Sequence, residues 1–310
     1  MNSAPSYHEP VLVEEAMELL RPERGGLFLD GTLGGGGHAE ALLERGANAR
    51  LIGVDRDPDA IAEAGRRLAR FGERVRLVRA TYTEAVVVAG ITPGSLTGVL
   101  LDLGLSSHQI DAEARGFTFR PGAPLDMRMA AASRGEETAA DLLARLPEEE
   151  LASIFFRFGE EKRSRRLAKV IVEMREQAPL TLSDHLVEAI NRALVRPAAQ
   201  DRARIFQALR ILVNGEIEGL ERALPALRDA LAPGGVLAVM AYHSLEDRIV
   251  KEAFREWSRD CVCPPQLPVC VCGGVAAGKS VTRKPIMASA EEIARNPRAR
   301  SVRLRAWRHA

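Results

Sequence analysis

Over the first hundred residues, short apolar runs alternate with segments whose apolar positions recur every three or four residues. Leu27–Asp30, Leu51–Asp55, Val75–Val78 and Gly98–Asp102 read as buried strands, and Val13–Leu20, His38–Arg45 and Pro58–Phe71 read as helices. This alternation predicts βαβ units around a parallel sheet. From Gln109 to Val195 no strand pattern is evident, and Leu142–Leu146, Glu148–Arg157, Arg163–Glu176 and Leu182–Leu194 have helical spacing. Arg204–Asn214 adds one more helix. Leu227–Gly235 then reads as a helix end and turn, Val236–Tyr242 as a buried strand, and Ser301–Trp307 as a closing edge strand. The expected architecture is therefore α/β: a Rossmann-like, mostly parallel sheet formed by residues 1–108 and 206–310, interrupted by an all-helical insertion at 109–205.

The first strand ends in Asp30, and Gly31–His38 follows as a glycine-rich turn entering a helix. Glycines let such a turn bend tightly and bring backbone N–H groups close to a ligand. In an open parallel sheet this turn lies at the carboxyl edge, where ligands bind. A dinucleotide site places its glycines directly after the strand to receive pyrophosphate. A carboxylate at Asp30 would repel pyrophosphate and suits a cationic ligand instead. Asp55 ends the second strand, and its two oxygens can accept both hydroxyls of a ribose. Acids at two strand ends around a glycine turn, with Gly34 in the turn, favour S-adenosylmethionine over NAD. Asp102 ends the fourth strand, where a carboxylate can accept a hydrogen bond from a target amine or from the methyl donor. The plain alternative for each acid is a turn-capping or solvated side chain.

Composition sets limits. A hydrophobic fraction of 46% supports a real core, and a net charge of +1 provides no global basic field to attract nucleic acid. Any RNA contact must come from local patches. No stretch is long and apolar enough to span a bilayer, and the N-terminus lacks a signal-peptide core, so a cytoplasmic location without membrane contact is expected.

The ordered motifs Tyr7–Leu12, Asp30–His38, Asp55–Pro58, Asp102–Ser107, Arg115–Phe119, Pro124–Met129, Phe206–Ile211, His243–Lys251 and Asn296–Ser301 cover nearly the whole chain. Together they resemble the bacterial small-subunit rRNA (cytosine-N4)-methyltransferase family. The resemblance implies a class I methyltransferase core with a helical substrate-recognition insertion, S-adenosylmethionine as methyl donor, and a cytidine near the decoding region of 16S rRNA as target. It implies cofactor contacts at Gly36, Gly37, His38, Asp55, Tyr82, Asp102 and Gln109; relatives often carry phenylalanine at the position of Tyr82. The partner would be small-subunit rRNA or the small ribosomal subunit. Upstream of Phe206 the resemblance thins, and only Arg204 matches.

Cytosine N4 is a poor nucleophile because its lone pair delocalises into the ring, so it must be held in line with the S–CH₃ bond. After attack the nitrogen becomes acidic, and Asp102, a carbonyl or water suffices as acceptor. Leu103–Leu105 offers no aromatic to stack on the base, which leaves Phe117, Phe119 or His243, the phenylalanines having core packing as their alternative. His243 should emerge at the ligand edge and is a catalytic candidate, with Ser244 and Asp247 as a helix cap. On the helix Arg204–Asn214 the residues Gln207, Arg210 and Asn214 share a polar face that either meets RNA or is solvated. Arg298 and Arg300 belong to a C-terminal arginine tract in which Arg303 and Arg305 share a strand face toward phosphate; Lys162–Arg166 with Lys169 forms a second basic cluster.

Two further signals do not fit this reading. Gly273–Ser280 matches the P-loop pattern, but a Cys/Pro-rich segment precedes it and Pro285 follows, so it is expected to be a loop and ATP is not expected as a ligand. Cys261, Cys263, Cys270 and Cys272 offer four thiols, open between zinc and unligated thiols, and no metal is assigned. A methyltransferase with another substrate, or a non-catalytic RNA-binding assembly factor, remains the alternative function.

Overall fold

Asp57 shows how local chemistry sets an element boundary: its carboxylate accepts the Asp59 N–H at 3.0 Å, and Pro58 occupies the first helical position. The computed structural model describes residues 10–104, 115–129, 137–261, 263, 272 and 274–310. In chain order the elements are α1 (Val13–Leu20), β1 (Gly26–Asp30), α2 (Gly37–Arg45), β2 (Ala49–Asp55), α3 (Pro58–Leu68), β3 (Val75–Arg79), α4 (Ala85–Val88) and β4 (Leu96–Asp102). Next come α5 (Ala139–Arg145), α6 (Glu148–Arg157), α7 (Ser164–Arg175), α8 (Ser183–Ala193), α9 (Ala199–Asn214) and α10 (Glu216–Ala230). The chain finishes with β5 (Leu231–Ala241), α11 (Ser244–Trp257), β6 (Gly278–Ser280), α12 (Ala290–Arg295) and β7 (Arg303–His309).

Two compact units emerge, Met1–Gly104 with Glu218–Ala310, and Leu105–Ile217. The expected boundary at 205/206 would fall inside the continuous helix α9. The first unit holds one seven-stranded sheet in the order β3-β2-β1-β4-β5-β7-β6, with β1 to β5 parallel and β7 antiparallel to both of its neighbours. This is the α/β, mostly parallel arrangement expected from the sequence. Alternate strand residues feed opposite faces. Leu29, Ile52, Val54, Val99, Leu101 and Val239 pack on one side with residues of α10 and α11; Phe28, Leu51, Leu100, Ala238 and Met240 pack on the other with α1 and α2. Burial on both faces explains why these strands read as continuous apolar runs rather than alternating ones.

Two expectations are corrected here, and a third is refined. The C-terminal strand is not the edge: β7 lies between β5 and β6, and the edge is the three-residue β6. The P-loop lookalike contributes that edge, since Gly278–Ser280 is extended and paired with Trp307–His309 instead of opening a helix. The turn at Ala232–Gly235 does not end the sheet pairing; it bulges between the Leu231 and Val236 partners of β4.

The second unit is helical in its described residues, with an isolated bridge between Pro124 and Leu182. Helix α6 packs on α7, α7 on α8, and α9 on α5 and α6, around Leu143, Leu151, Phe155, Leu167, Ile171, Leu186, Ile190, Ile205 and Leu209. Helix α5 starts three residues before the apolar pattern does, because Thr138 and Asp141 form a reciprocal capping box.

Candidate functional site

In the order β3-β2-β1-β4-β5 the chain reverses direction between β1 and β4, and the carboxyl ends flanking such a switch point are where open α/β sheets bind ligands. Asp30, Asp55 and Asp102 terminate β1, β2 and β4 at this edge. Thr32, a residue the sequence reading passed over, ties two of them together. Its N–H donates to Asp30 Oδ1 at 3.1 Å, and its Oγ1 accepts the Asp102 N–H at 2.5 Å. Asp55 is aimed by two backbone donors, with Gly34 N–H on Oδ2 at 2.8 Å and Asp57 N–H on Oδ1 at 2.9 Å. Each carboxylate oxygen retains a second lone-pair direction for a ligand.

Two glycines of the turn are required. Gly34 and Gly36 adopt φ of +51° and +80°, a region side chains disfavour, and a Cβ on Gly34 would meet nothing within 4 Å. The Gly34 backbone therefore faces open space beside Asp55. Gly37 opens α2 and lies against the Pro10 ring. His38 is 7% exposed, and its Nε2 donates to Val11 O at 2.8 Å. That carbonyl can only accept, so in the neutral ring the proton sits on Nε2 and the Nδ1 lone pair faces Asp102 Oδ2 at 3.9 Å. Val11 thus gives the Tyr7–Leu12 motif a role; its first three residues lie outside those described.

Charge accumulates at this edge. Burial raises the Asp30 carboxyl to about 7; nearby His38 and the Thr32 N–H pull it down, while Asp102 and Asp55 push it up. Burial also raises Asp55, against the opposing pull of its two backbone donors. The Tyr242 phenol is raised first by burial and then by the Asp102 carboxylate beside it. Asp102 Oδ1 is itself buried with no hydrogen-bond partner among the described residues.

Residues 5–310 match the MraW methylase family. The chain belongs to this family. It is 51% identical to the ribosomal RNA small subunit methyltransferase H of Gemmatimonas aurantiaca, over 100% of this chain and 99% of that one. The proteins of the same name from Heliobacterium modesticaldum and Symbiobacterium thermophilum are 50% and 47% identical, each over 97% of this chain and over 97% and 96% of their own.

Methylases of this family use S-adenosylmethionine, and the site fits that donor. A sulfonium and an ammonium group match an edge carrying three carboxylates, one with an unsatisfied buried oxygen. A nucleoside matches the open Gly34 backbone next to Asp55. Tyr82 follows β3, and its Cβ lies 3.2 Å from where a side chain on Gly31 would begin, so it borders the same turn in this methylase. Gln109 lies outside the described residues.

Other candidates in the methylase are engaged elsewhere. His243, not Ser244, caps α11: its Nδ1 accepts the Glu246 N–H at 3.4 Å, and the Glu246 carboxylate accepts the N–H groups of Tyr242 and His243 at 2.9 and 3.3 Å. His243 Nε2 also sits 3.0 Å from Glu246 Oε1, though without hydrogen-bond alignment. Asp247 is not part of the cap. It receives Arg305 at 2.6 and 3.2 Å and Arg303 at 3.4 Å, so the two arginines expected to face phosphate converge instead on a carboxylate. The alternation was read correctly, but the half-buried acid opposite was not visible in it.

The polar face of α9 is likewise committed. Asn214 donates to Met127 O and accepts from Met129 N–H, both at 2.8 Å, holding the Pro124–Met129 motif where Met127 takes a φ of +63°. Arg210 makes a two-pronged contact with Glu216 at 2.9 and 2.8 Å. Arg204 bonds Asp201 at 2.7 Å, and Gln207 is half-buried. Arg298 is half-buried and Arg300 exposed. Phe119 is 43% exposed and stands edge-on to Phe206, with centroids 6.0 Å apart; Phe117 is half-buried.

Proposed function

We propose that this methylase transfers the methyl group of S-adenosylmethionine to the N4 of a cytidine in the decoding region of small-subunit rRNA. The observation that carries the reading is Asp102: a half-buried strand-end carboxylate beside His38 and Tyr242, whose Oδ1 is buried with no hydrogen-bond partner among the described residues. When bound, S-adenosylmethionine supplies an electrophilic methyl on a sulfonium, so no further activation of the carbon is needed.

Asp55 and the Gly34 backbone hold the nucleoside end, while Asp30 and Asp102 supply negative charge for the cationic end. Asp102 Oδ1 accepts a hydrogen bond from the target amine and orients its lone pair. The same oxygen takes the proton that N4 sheds once its bond to carbon forms. His38, pinned through Nε2 by Val11, holds its Nδ1 toward the other Asp102 oxygen. His243 acts as a positioning residue that fixes the corner between β5 and α11.

RNA contact is supported by the exposed Lys162, Arg163, Arg165, Arg166 and Lys169 at the start of α7. Cations in the first turn oppose the helix dipole by about 0.3–1 kcal/mol each, so helix stability does not account for them. Arg300 adds an exposed cation in the first unit. The partner is small-subunit rRNA or the small subunit itself, in the cytoplasm; no helix among the described residues is long and apolar enough to cross a membrane.

The test is transfer of labelled methyl to small subunits from a strain lacking this modification, followed by nucleoside analysis. N4-methylcytidine is the expected product. Cofactor binding with no label in RNA would overturn the substrate, and would favour a methyltransferase acting on another acceptor.

A further inference from the structure

The three described cysteines of the segment between α11 and β6 sit together at the surface. Every pair among the Sγ atoms of Cys261, Cys263 and Cys272 lies within 4.8 Å, and Cys261 and Cys272 are 3.7 Å apart. A disulfide needs about 2.05 Å. Two thiolates on one tetrahedral zinc, each about 2.3 Å from the ion, stand roughly 3.8 Å apart. The observed separation is that of a metal-site edge, not of a covalent bond. Cys261 and Cys272 are exposed and Cys263 half-buried, whereas cysteines retained for packing are among the most buried side chains.

The surroundings hold this trio in place. Ser258, just after α11, accepts the N–H of Ser280 and the indole N–H of Trp307, both at 3.1 Å, and donates to Phe254 O at 2.7 Å. Ala277 N–H donates to Trp257 O at 2.9 Å. Both ends of the segment are therefore anchored at Trp257 and Trp307, one through the Trp307 indole and the other through the Trp257 backbone carbonyl, and the two rings lie 5.3 Å apart. Cys263 N–H donates to Cys261 Sγ at 3.4 Å, the kind of backbone contact that stabilises a thiolate. A side chain on Gly274 would stand 3.3 Å from Cys272 Sγ and 2.9 Å from Asp260 O, so the chain passes too close for anything larger.

We propose that Cys261, Cys263 and Cys272 bind a thiolate-preferring divalent metal ion of the zinc type, which staples the segment between α11 and the edge strand β6. Binding releases the thiol protons to solvent, leaves oxidation states unchanged, and closes the loop from 261 to 272. A tetrahedral ion takes a fourth donor beyond this trio; the remaining cysteine of the chain, Cys270, lies outside the described residues. The site is structural and independent of the methyl-transfer chemistry.

The probe is cobalt(II), added to the full-length reduced protein after chelator treatment. Saturation at one equivalent, with visible d–d bands and near-ultraviolet thiolate charge-transfer absorption that zinc abolishes, is the expected result. Zinc should also protect at least three of the four cysteines from a thiol reagent. The double variant Cys261→Ser, Cys272→Ser should lose more than about 100-fold in zinc affinity, beyond what removing a merely supporting group costs. A featureless cobalt titration of the unmodified protein would overturn the proposal, whether or not the variant folds. So would full thiol reactivity in zinc, or pairwise thiol loss on air oxidation without metal uptake.

Discussion

Asp30→Asn tests the electrostatics of the sheet edge directly. Asp30 is 2% exposed, and burial lifts its carboxyl from 3.8 to about 7 in the folded chain. Between these values the folded state binds a proton that the unfolded state has released, so stability must fall as pH rises. The stability associated with protonated Asp30 is fully present below pH 3.8 and is lost as pH climbs through about 7. The limiting slope is about −1.4 kcal/mol per pH unit, giving a loss of about 2–3 kcal/mol between pH 5 and 8. Asparagine keeps an oxygen to accept the Thr32 N–H and cannot ionise. Its amide adds buried donors at a cost of about 1–3 kcal/mol, but that offset does not vary with pH. Denaturant unfolding followed by tryptophan fluorescence is a suitable assay, since Trp257 and Trp307 both belong to the unit that carries the sheet. The stability difference, unmodified protein minus variant, should shrink steadily from pH 5 to 8 by about 2–3 kcal/mol. A difference constant to within about 0.5 kcal/mol across that range, well below the pH-linked change, would refute the claim that Asp30 is a strongly desolvated acid.

The remaining predictions concern ligand, chemistry and packing. Asp55→Ala should weaken S-adenosylmethionine binding by about 1–3 kcal/mol through lost charge-assisted hydrogen bonds, measured by calorimetry; unchanged affinity would remove Asp55 from the site. Asp102→Asn should lower kcat by about 10²–10⁴-fold in single-turnover methyl transfer at saturating donor, and a full rate would exclude it as proton acceptor. Donor binding near pH 7 should release part of a proton as the cation drives Asp30 to ionise, visible as a dependence of binding enthalpy on buffer ionisation enthalpy; proton uptake would reverse the assignment. Arg305→Ala should cost about 1–3 kcal/mol of stability by leaving the half-buried Asp247 carboxylate with only its longer contact to Arg303, and a loss below about 0.5 kcal/mol would mark the pair as dispensable.

Most of the sheet was legible because burial on both faces writes a parallel strand as an uninterrupted apolar run. β1 to β4 fall where Leu27–Asp30, Leu51–Asp55, Val75–Val78 and Gly98–Asp102 were expected, each extended by one or two residues. β6 was illegible for the opposite reason. At three residues it carries no period, and its existence depends on the neighbouring backbone of β7. Its letters, Gly-Lys-Ser, spell a phosphate-binding motif only when read without that neighbour. The start of α5 was legible in principle, since Thr138 and Asp141 stand at capping-box spacing, but apolar periodicity alone begins later.

The acids and the arginines show what sequence position fixes about a side chain and what it leaves open. Asp30, Asp55 and Asp102 were placed by a topological rule: a residue ending a parallel strand beside a switch point reaches the ligand edge whatever its neighbours are. The arginines have no such rule. Whether Arg305 meets phosphate or Asp247, and whether Arg210 meets RNA or Glu216, is decided by carboxylates 58 and 6 positions away. His243 obeys the rule in reaching the edge but is then captured by Glu246, three residues on, because a helix begins there and its free N–H groups require an acceptor. Strand-end position therefore predicts where a side chain is delivered, while the nearest unsatisfied partner decides what it does. Asp102 keeps a buried oxygen with no partner among the described residues. That unspent acceptor, more than its place at the end of β4, is why we propose it as the acceptor of the proton shed by the target amine.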